Sequence, residues 1–136
     1  MLQAIPILIR VAVFAGAAKA ISGIYKNREI STLSQTSWKI TRQNKTDIGQ
    51  TITFKDDGEI FGFGGCNRVF GQYSQSGDKL TIGTLASTRK AGPNLKAETK
   101  MISALQKARR FKGTPSQIKI YSETDEVLLT LTRQKI

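Results

Sequence analysis

Residues 51–83 decide the fold, and they read TITFKDDGEIFGFGGCNRVFGQYSQSGDKLTIG. Apolar and polar residues alternate in short runs, which is the period of a strand with one buried face. Residues 56–58 (Asp-Asp-Gly) and 76–78 (Ser-Gly-Asp) separate the runs, and both are tight-turn compositions. Seven of the 12 glycines lie between Gly58 and Gly83, a density typical of hairpins and bulges. The stretch therefore predicts successive antiparallel strands.

Strands and one helix flank this stretch. Alternation also occurs at residues 38–41, 118–121 and 127–131. A helix start at residues 92–94 (Gly-Pro-Asn) precedes apolar residues at helical spacing: Leu95, Met101, Ile102, Leu105 and Ala108. One helix cannot supply the crossovers of a parallel sheet. We expect an α+β domain with a mostly antiparallel sheet, of about eight short strands, barrel-like or strongly curved, packed on one α-helix.

Composition limits the chemistry available to the chain. Its 136 residues include 21 Lys and Arg, 10 Asp and Glu, no His and one Cys, so the formal net charge is +11. Without His there is no Ser-His-Asp or Cys-His system and no His-ligated metal site. One Cys excludes an internal disulfide and a CxxC redox pair. We expect a non-enzymatic protein with no catalytic residues, no metal and no cofactor.

The N-terminal segment differs from the rest of the chain. Residues 1–25 are apolar or small, apart from Arg10, Lys19 and a few polar residues. Three interpretations stay open: a signal peptide cut after Ala20, an uncleaved membrane anchor, and a soluble helix. A signal peptide normally begins with basic residues, and this segment has none before Ile5. A membrane anchor would bury Arg10 in the bilayer, at a cost of about 2.5–3.5 kcal/mol.

The chain therefore divides into three parts: the apolar segment 1–25, a polar linker 26–36 and a globular domain 37–136. Export or anchoring would bring the N-terminal segment into contact with a membrane. The location is cytoplasmic if residues 1–25 are not a targeting segment.

Gly62–Asn67 is the most unusual run of the sequence. A phosphate loop does not fit, because no Lys-Ser/Thr and no helix pattern follow. A strand with a glycine bulge fits better, since glycine lets backbone segments approach closely and Asn67 suits a turn. Cys66 is interpreted as a small buried thiol. A reactive thiolate would need a cationic neighbour such as Arg68 or Arg89.

Two features could bind an anionic partner. Phe61 and Phe63 share one strand face, which is faintly similar to the stacking strands of single-stranded nucleic-acid-binding domains. Core aromatics give the same pattern, and the sequence disfavours nucleic acid. The second feature is four cations in six residues: Lys107, Arg109, Arg110 and Lys112. They are interpreted first as a helix C-terminus that complements its dipole, opposite an early Glu98. The alternative is an anion-binding patch.

The motif order resembles the META domain of HslJ-type heat-shock proteins, over about residues 37–132. The matching segments are Thr51–Phe54, Asp57-Gly58, Gly62–Asn67, Gly71–Tyr73, Gly77–Gly83 and Leu85–Arg89, with Trp38 before them and Val127–Leu129 after. The resemblance implies a compact antiparallel β structure holding one long helix. It places the family motif at Gly64, Gly65, Cys66, Asn67, Thr88 and Arg89, in structural roles.

The resemblance also implies a location, the bacterial cell envelope, either periplasmic or membrane-associated, and a function. HslJ-type proteins are usually exported or lipid-anchored in the bacterial envelope, and are associated with stress, novobiocin resistance, secretion or motility. We expect the chain to bind a protein or an anionic envelope component, and a basic domain for single-stranded nucleic acid is the alternative.

The chain departs from the family pattern at two places. Many relatives read Thr-Arg-Met-Ala-Cys where residues 88–92 read Thr-Arg-Lys-Ala-Gly. If relatives join that second Cys to the one in Gly-Gly-Cys-Asn, this chain lacks the bridge and Cys66 is free. The chain also lacks an anchor Cys near its N-terminus.

Overall fold

The computed structural model describes residues 28–42 and 45–135. The predictions for residues 1–25 lie outside this range. The described residues form nine strands and one helix: β1 (Thr36–Ile40), β2 (Thr51–Phe54), β3 (Glu59–Phe63), β4 (Arg68–Ser76), β5 (Lys79–Ile82), β6 (Ala86–Ser87), α1 (Leu95–Lys107), β7 (Arg110–Gly113), β8 (Gln117–Tyr121) and β9 (Val127–Gln134). This confirms the predicted α+β class.

Eight strands form a closed antiparallel ring. Their order is β3-β2-β1-β9-β8-β7-β5-β4, and β4 pairs back onto β3. The nine-residue β4 closes the ring because its first half pairs with β3 and its second half with β5. β6 adds a short pairing to β4 through Val69 and Phe70. The sheet is therefore strongly curved, as predicted.

The core fills the ring and the space beneath α1. Alternate strand residues point inward, among them Trp38, Ile52, Phe54, Leu80, Ile118 and Leu131. The helix contributes Met101 and Leu105 to this core, whereas Leu95 of the predicted apolar face is exposed. Within residues 28–42 and 45–135, no helix is long and apolar enough to cross a membrane.

The packed domain reaches back into the predicted linker. Leu33 is fully buried in the core, and its amide donates a hydrogen bond to Gln75 Oε1 at 2.9 Å. The Ile30 amide donates to the Gly113 carbonyl at 2.9 Å. Residues 30–33 are therefore part of the fold, because one apolar side chain in a polar segment fills the core.

The helix ends earlier than its basic residues suggested. Ala108 is extended, with φ −60° and ψ 135°, and Arg110–Gly113 form β7 between β5 and β8. Phe111 is buried while Lys112 points outward, so this run follows the strand period. Arg110 and Lys112 therefore do not belong to a helix C-terminus, which corrects the preferred interpretation of these two cations.

Candidate functional site

The family motif forms the turn between β3 and β4. This turn, residues Gly64–Asn67, is called the motif turn. Its Gly64 amide donates a hydrogen bond to the Asn67 carbonyl at 2.8 Å. Gly65 has φ 114°, a conformation that favours glycine. A Cβ at Gly64 would collide with Glu98 Cγ. The glycines therefore let the turn pass directly over the first turns of α1.

Glu98 is the centre of this contact, although its early position in the helix predicted only a favourable interaction with the helix dipole. Glu98 is buried, with only 4% of its surface exposed. Oε1 accepts hydrogen bonds from the Cys66 amide at 3.1 Å and the Asn67 amide at 2.5 Å, and Oε2 accepts one from Asn67 Nδ2 at 2.8 Å. Burial by itself raises the pKa of Glu98, but these hydrogen bonds outweigh it and hold the pKa below its ordinary value.

Asn67 extends the network to the segment after β6. Its Oδ1 accepts hydrogen bonds from Thr88 Oγ1 at 2.8 Å and from the Lys90 amide at 2.5 Å. Its Nδ2 also donates to the Lys90 carbonyl at 3.1 Å. The structure thus brings Gly64, Cys66, Asn67 and Thr88 together with Glu98. Arg89 instead is exposed, with φ 59°.

Cys66 lies at the edge of this network. It is a free, half-buried thiol, and its Sγ lies 3.6 Å from the Lys90 carbonyl oxygen. A Cβ added at Gly92 would lie 2.8 Å from this Sγ. Position 92 is therefore beside Cys66 in space, at a separation that suits a disulfide.

The predicted four-cation patch is divided between two places. Arg109 caps the helix end, because its guanidinium donates to the Gln106 carbonyl at 3.2 Å and to the Ala108 carbonyl at 2.7 Å. Lys107 and Arg109 also border a depression that contains Glu123 and Glu126. Acidic residues therefore accompany these two cations, whereas Arg110 and Lys112 lie on β7.

A different group of cations lies on the outer face of three adjacent strands. This basic strand face consists of Lys79 on β5, Arg110 and Lys112 on β7, and Lys119 on β8. Lys79 lies directly opposite Arg110, and Lys112 directly opposite Lys119. Among residues 28–42 and 45–135, only Arg110 of these four has an ion pair, with Asp125. Its guanidinium also lies 5.6 Å from the Tyr121 ring centre.

Lys79 and Lys119 were not predicted as members of a basic site, because they are distant from the four-cation run along the chain. Only the register of β5, β7 and β8 brings them together. Each occupies an outward position of an alternating strand, at Lys79-Leu80-Thr81 and Ile118-Lys119-Ile120. That alternation was the available signal.

The aromatic residues of β3 and β4 form a separate surface. Phe61 and Phe70 lie opposite each other, 45% and 48% exposed. Phe63, half-buried, lies opposite Arg68 on the same face. The interpretation of this pattern as core aromatics is wrong for Phe61, because the inward residue beside it is Ile60. Strand alternation fixes which residues share a face, but it does not say which face is buried.

Three features together define a small antiparallel barrel of META type: the closed ring of strands, the single helix packed on it, and the motif turn. The META domain model matches residues 31–135, and the chain belongs to this family.

Solved structures show the same architecture. The chain is similar to a protein from Burkholderia xenovorans, with 25% identity and a TM-score of 0.62, over 99% of this chain and 100% of that one. It is also similar to a DUF4847 family protein from Bacteroides vulgatus, with 16% identity and a TM-score of 0.61, over 76% of this chain and 96% of that one. No curated protein matches the chain. The comparisons therefore indicate a META-domain protein similar to small bacterial proteins.

Proposed function

We propose that this chain is a non-enzymatic META-domain protein of the bacterial cell envelope that binds an anionic surface component through the basic strand face. The observation that carries this proposal is the register of that face. Lys112 lies opposite Lys119 with no acidic partner for either among the described residues, although like charges directly opposite destabilise a sheet. Lys79 lies opposite Arg110, whose ion pair with Asp125 relieves part of the repulsion there. An anionic partner would offset this repulsion.

The shape of the face supports a broad partner. The four cations lie on the convex outside of the ring, on neighbouring strands. Polar side chains continue the face across β9, where Thr130 lies opposite Lys119 and Thr132 opposite Gln117. An extended anionic surface can contact all of these residues at once, and several weak contacts then add up.

The motif turn supports a structural role for the family motif. The polar atoms of Asn67 and Glu98 are engaged within the protein, where they join α1 to two loops. Such groups hold the fold and are not aimed at a ligand. The same holds for the motif glycines, whose missing Cβ atoms make room for the contact.

The envelope location rests on the family and on the apolar sequence of residues 1–25. Fractionation of cells that express the full chain tests it, with recovery in the envelope fraction as the expected result. A purely cytosolic product of full length would contradict it. The associated process is stress tolerance, drug resistance or secretion, so a deletion strain is expected to grow poorly in heat or novobiocin, or to secrete less.

Anion binding is tested by retention of the purified protein on an anionic polymer such as polyphosphate. The double variant Lys112→Gln/Lys119→Gln should elute at clearly lower salt than the wild type. The double variant Lys96→Gln/Lys100→Gln removes the same charge from the exposed side of α1 and serves as the control. Equal elution of the two variants would show that net charge, and not this face, determines binding.

The aromatic surface favours a second candidate function, the binding of single-stranded nucleic acid. Phe61 and Phe70 are exposed side by side, as base stacking requires. Next to them, Arg68 and Lys90 border an open depression of about 530 Å³ together with Phe63. A backbone phosphate could lie there while bases stack on the aromatic pair.

This candidate has a matched test. The variant Phe61→Ala/Phe70→Ala should weaken the binding of an oligothymidylate by about 30-fold or more, because each stacked base contributes about 1–3 kcal/mol. The control Leu95→Ala/Val127→Ala removes two other exposed apolar side chains. Equal binding by both variants would exclude stacking.

A further inference from the structure

The chain enters the domain beside the basic strand face. The Ile30 amide donates to the carbonyl of Gly113, the last residue of β7, and Lys112 is the residue before it. From Ile30 the chain continues through Arg28 toward residues 1–27. Whatever holds residues 1–25 therefore also holds this side of the barrel close to itself.

The sequence of residues 1–25 indicates what could hold it. The segment contains two basic residues, Arg10 and Lys19, no acidic residue and long apolar runs. A segment of this kind partitions into a bilayer or its interface. The five residues from 25 to 30 span at most about 18 Å, so the cations next to the point of entry would stay within reach of the lipid headgroups.

We propose that the basic strand face docks on the anionic headgroups of a phospholipid bilayer, on the side of the barrel at which the preceding residues join the domain. This inference rests on the proposed function, because it names the anionic component that the face binds. Lys112 and Lys119 make the headgroup contacts, and Lys79 and Arg110 extend them along β5 and β7.

Charge also argues against a second copy as the occupant of this face. Residues 26–136 contain 19 of the 21 basic residues and all 10 acidic ones, so two copies would repel each other. A face-to-face dimer would moreover bring two sets of the same four cations together. A bilayer rich in phosphatidylglycerol has the opposite charge and needs no complementary pocket.

The test uses the full chain with one reporter cysteine at a time, in a Cys66→Ser background. Gln117→Cys places the reporter on β8 beside Lys119, and Gln72→Cys places it on β4, three strands away from β8 around the ring and opposite Glu59 of β3. Both glutamines are exposed outer-face residues. A polarity-sensitive dye on each reports contact with vesicles of phosphatidylcholine, alone or with about one-third phosphatidylglycerol.

We expect the dye at position 117 to report lipid contact only on phosphatidylglycerol vesicles, and the dye at position 72 on neither. Each Lys near an anionic surface contributes about 1 kcal/mol, so Lys112→Gln/Lys119→Gln should weaken this contact by about 30-fold. Lys96→Gln/Lys100→Gln should weaken it far less. A response that is equal at both positions, or on both vesicle types, would overturn the docking.

Soluble polyphosphate separates this inference from the proposed function. If polyphosphate changes the dye signal at position 117 while vesicles do not, the face binds anions but does not dock on a bilayer. If neither ligand changes the signal, both the inference and the anion-binding function fail.

Discussion

Asn67 Nδ2 donates a hydrogen bond to Glu98 Oε2 at 2.8 Å, across 31 positions of the chain. The Asn67 amide donates to the other oxygen of the same carboxylate. One side chain of the helix therefore fixes both the main chain and the side chain of the motif turn. This pair links α1 to the barrel at the side where Gly64 and Gly65 allow the approach.

Replacement of Glu98 by Gln should destabilise the domain by about 1–3 kcal/mol, although the side chain keeps its shape. The NH₂ group of the new glutamine would face N–H groups of Asn67 or Cys66, which are donors themselves. At least one buried donor would then have no acceptor. Urea unfolding measures the change. Glu126→Gln, at an exposed position, is the control and should leave stability nearly unchanged. A similar loss in both variants would contradict the role of the buried carboxylate.

The stability of the domain should decrease in acid because of Glu98. Its pKa is lowered in the folded state, so its contribution is fully present above the unfolded value of about 4.3. That contribution is lost as the pH falls below this value toward the folded pKa. Urea unfolding of wild type and Glu98→Gln between about pH 2 and pH 7 should show the stability difference shrinking in acid. A difference that stays constant with pH would contradict this assignment.

Gly92→Cys should form a disulfide with Cys66, because a Cβ at position 92 would lie 2.8 Å from Cys66 Sγ. The closed loop should stabilise the oxidised protein by about 2–4 kcal/mol. Thermal unfolding with and without reductant measures this gain. Gly92→Ser introduces a side chain of similar size without the bond and should show no dependence on reductant. Failure of Gly92→Cys to oxidise would show that the two positions are farther apart in solution.

Lys119→Thr should stabilise the domain by about 0.2–1 kcal/mol, because it removes a like charge opposite Lys112 and places a good strand former on the outer face. The same variant should bind polyphosphate more weakly. Lys39→Thr on β1 is the matched control, because it removes a lysine that has an ion pair with Asp47. Unfolding in urea at low and high salt compares them. A gain for Lys39→Thr equal to that for Lys119→Thr would assign the effect to strand propensity alone.

Local patterns were sufficient to predict most of the barrel. The turns at residues 56–58 and 76–78, together with the alternation around them, predicted β2 to β5, and Met101 and Leu105 predicted the buried face of α1. β7 was missed because four cations around a single Phe111 resemble a helix end. Leu33 was missed for a similar reason, since one apolar residue in a polar segment has no period.

The candidate surfaces depended on register, which the sequence does not show. Lys119 joins Lys112 only because β7 pairs with β8. Phe61 faces solvent because the curvature of the ring places Ile60 inside. Glu98 has the ordinary position of an acidic residue early in a helix, and its buried role appears only when the motif turn lies above it. The parts of the candidate site that local sequence patterns did not predict are therefore the parts that depend on long-range strand pairing.

The pairing of β1 with β9 has a consequence for biogenesis. Ile40 lies opposite Leu131, and Ser37 opposite Gln134. The barrel can therefore close only after the first strand has paired with the last one. Contacts between such distant segments form slowly. The nascent chain is consequently expected to remain incompletely folded until the segment that forms β9, near its C-terminus, has been synthesised.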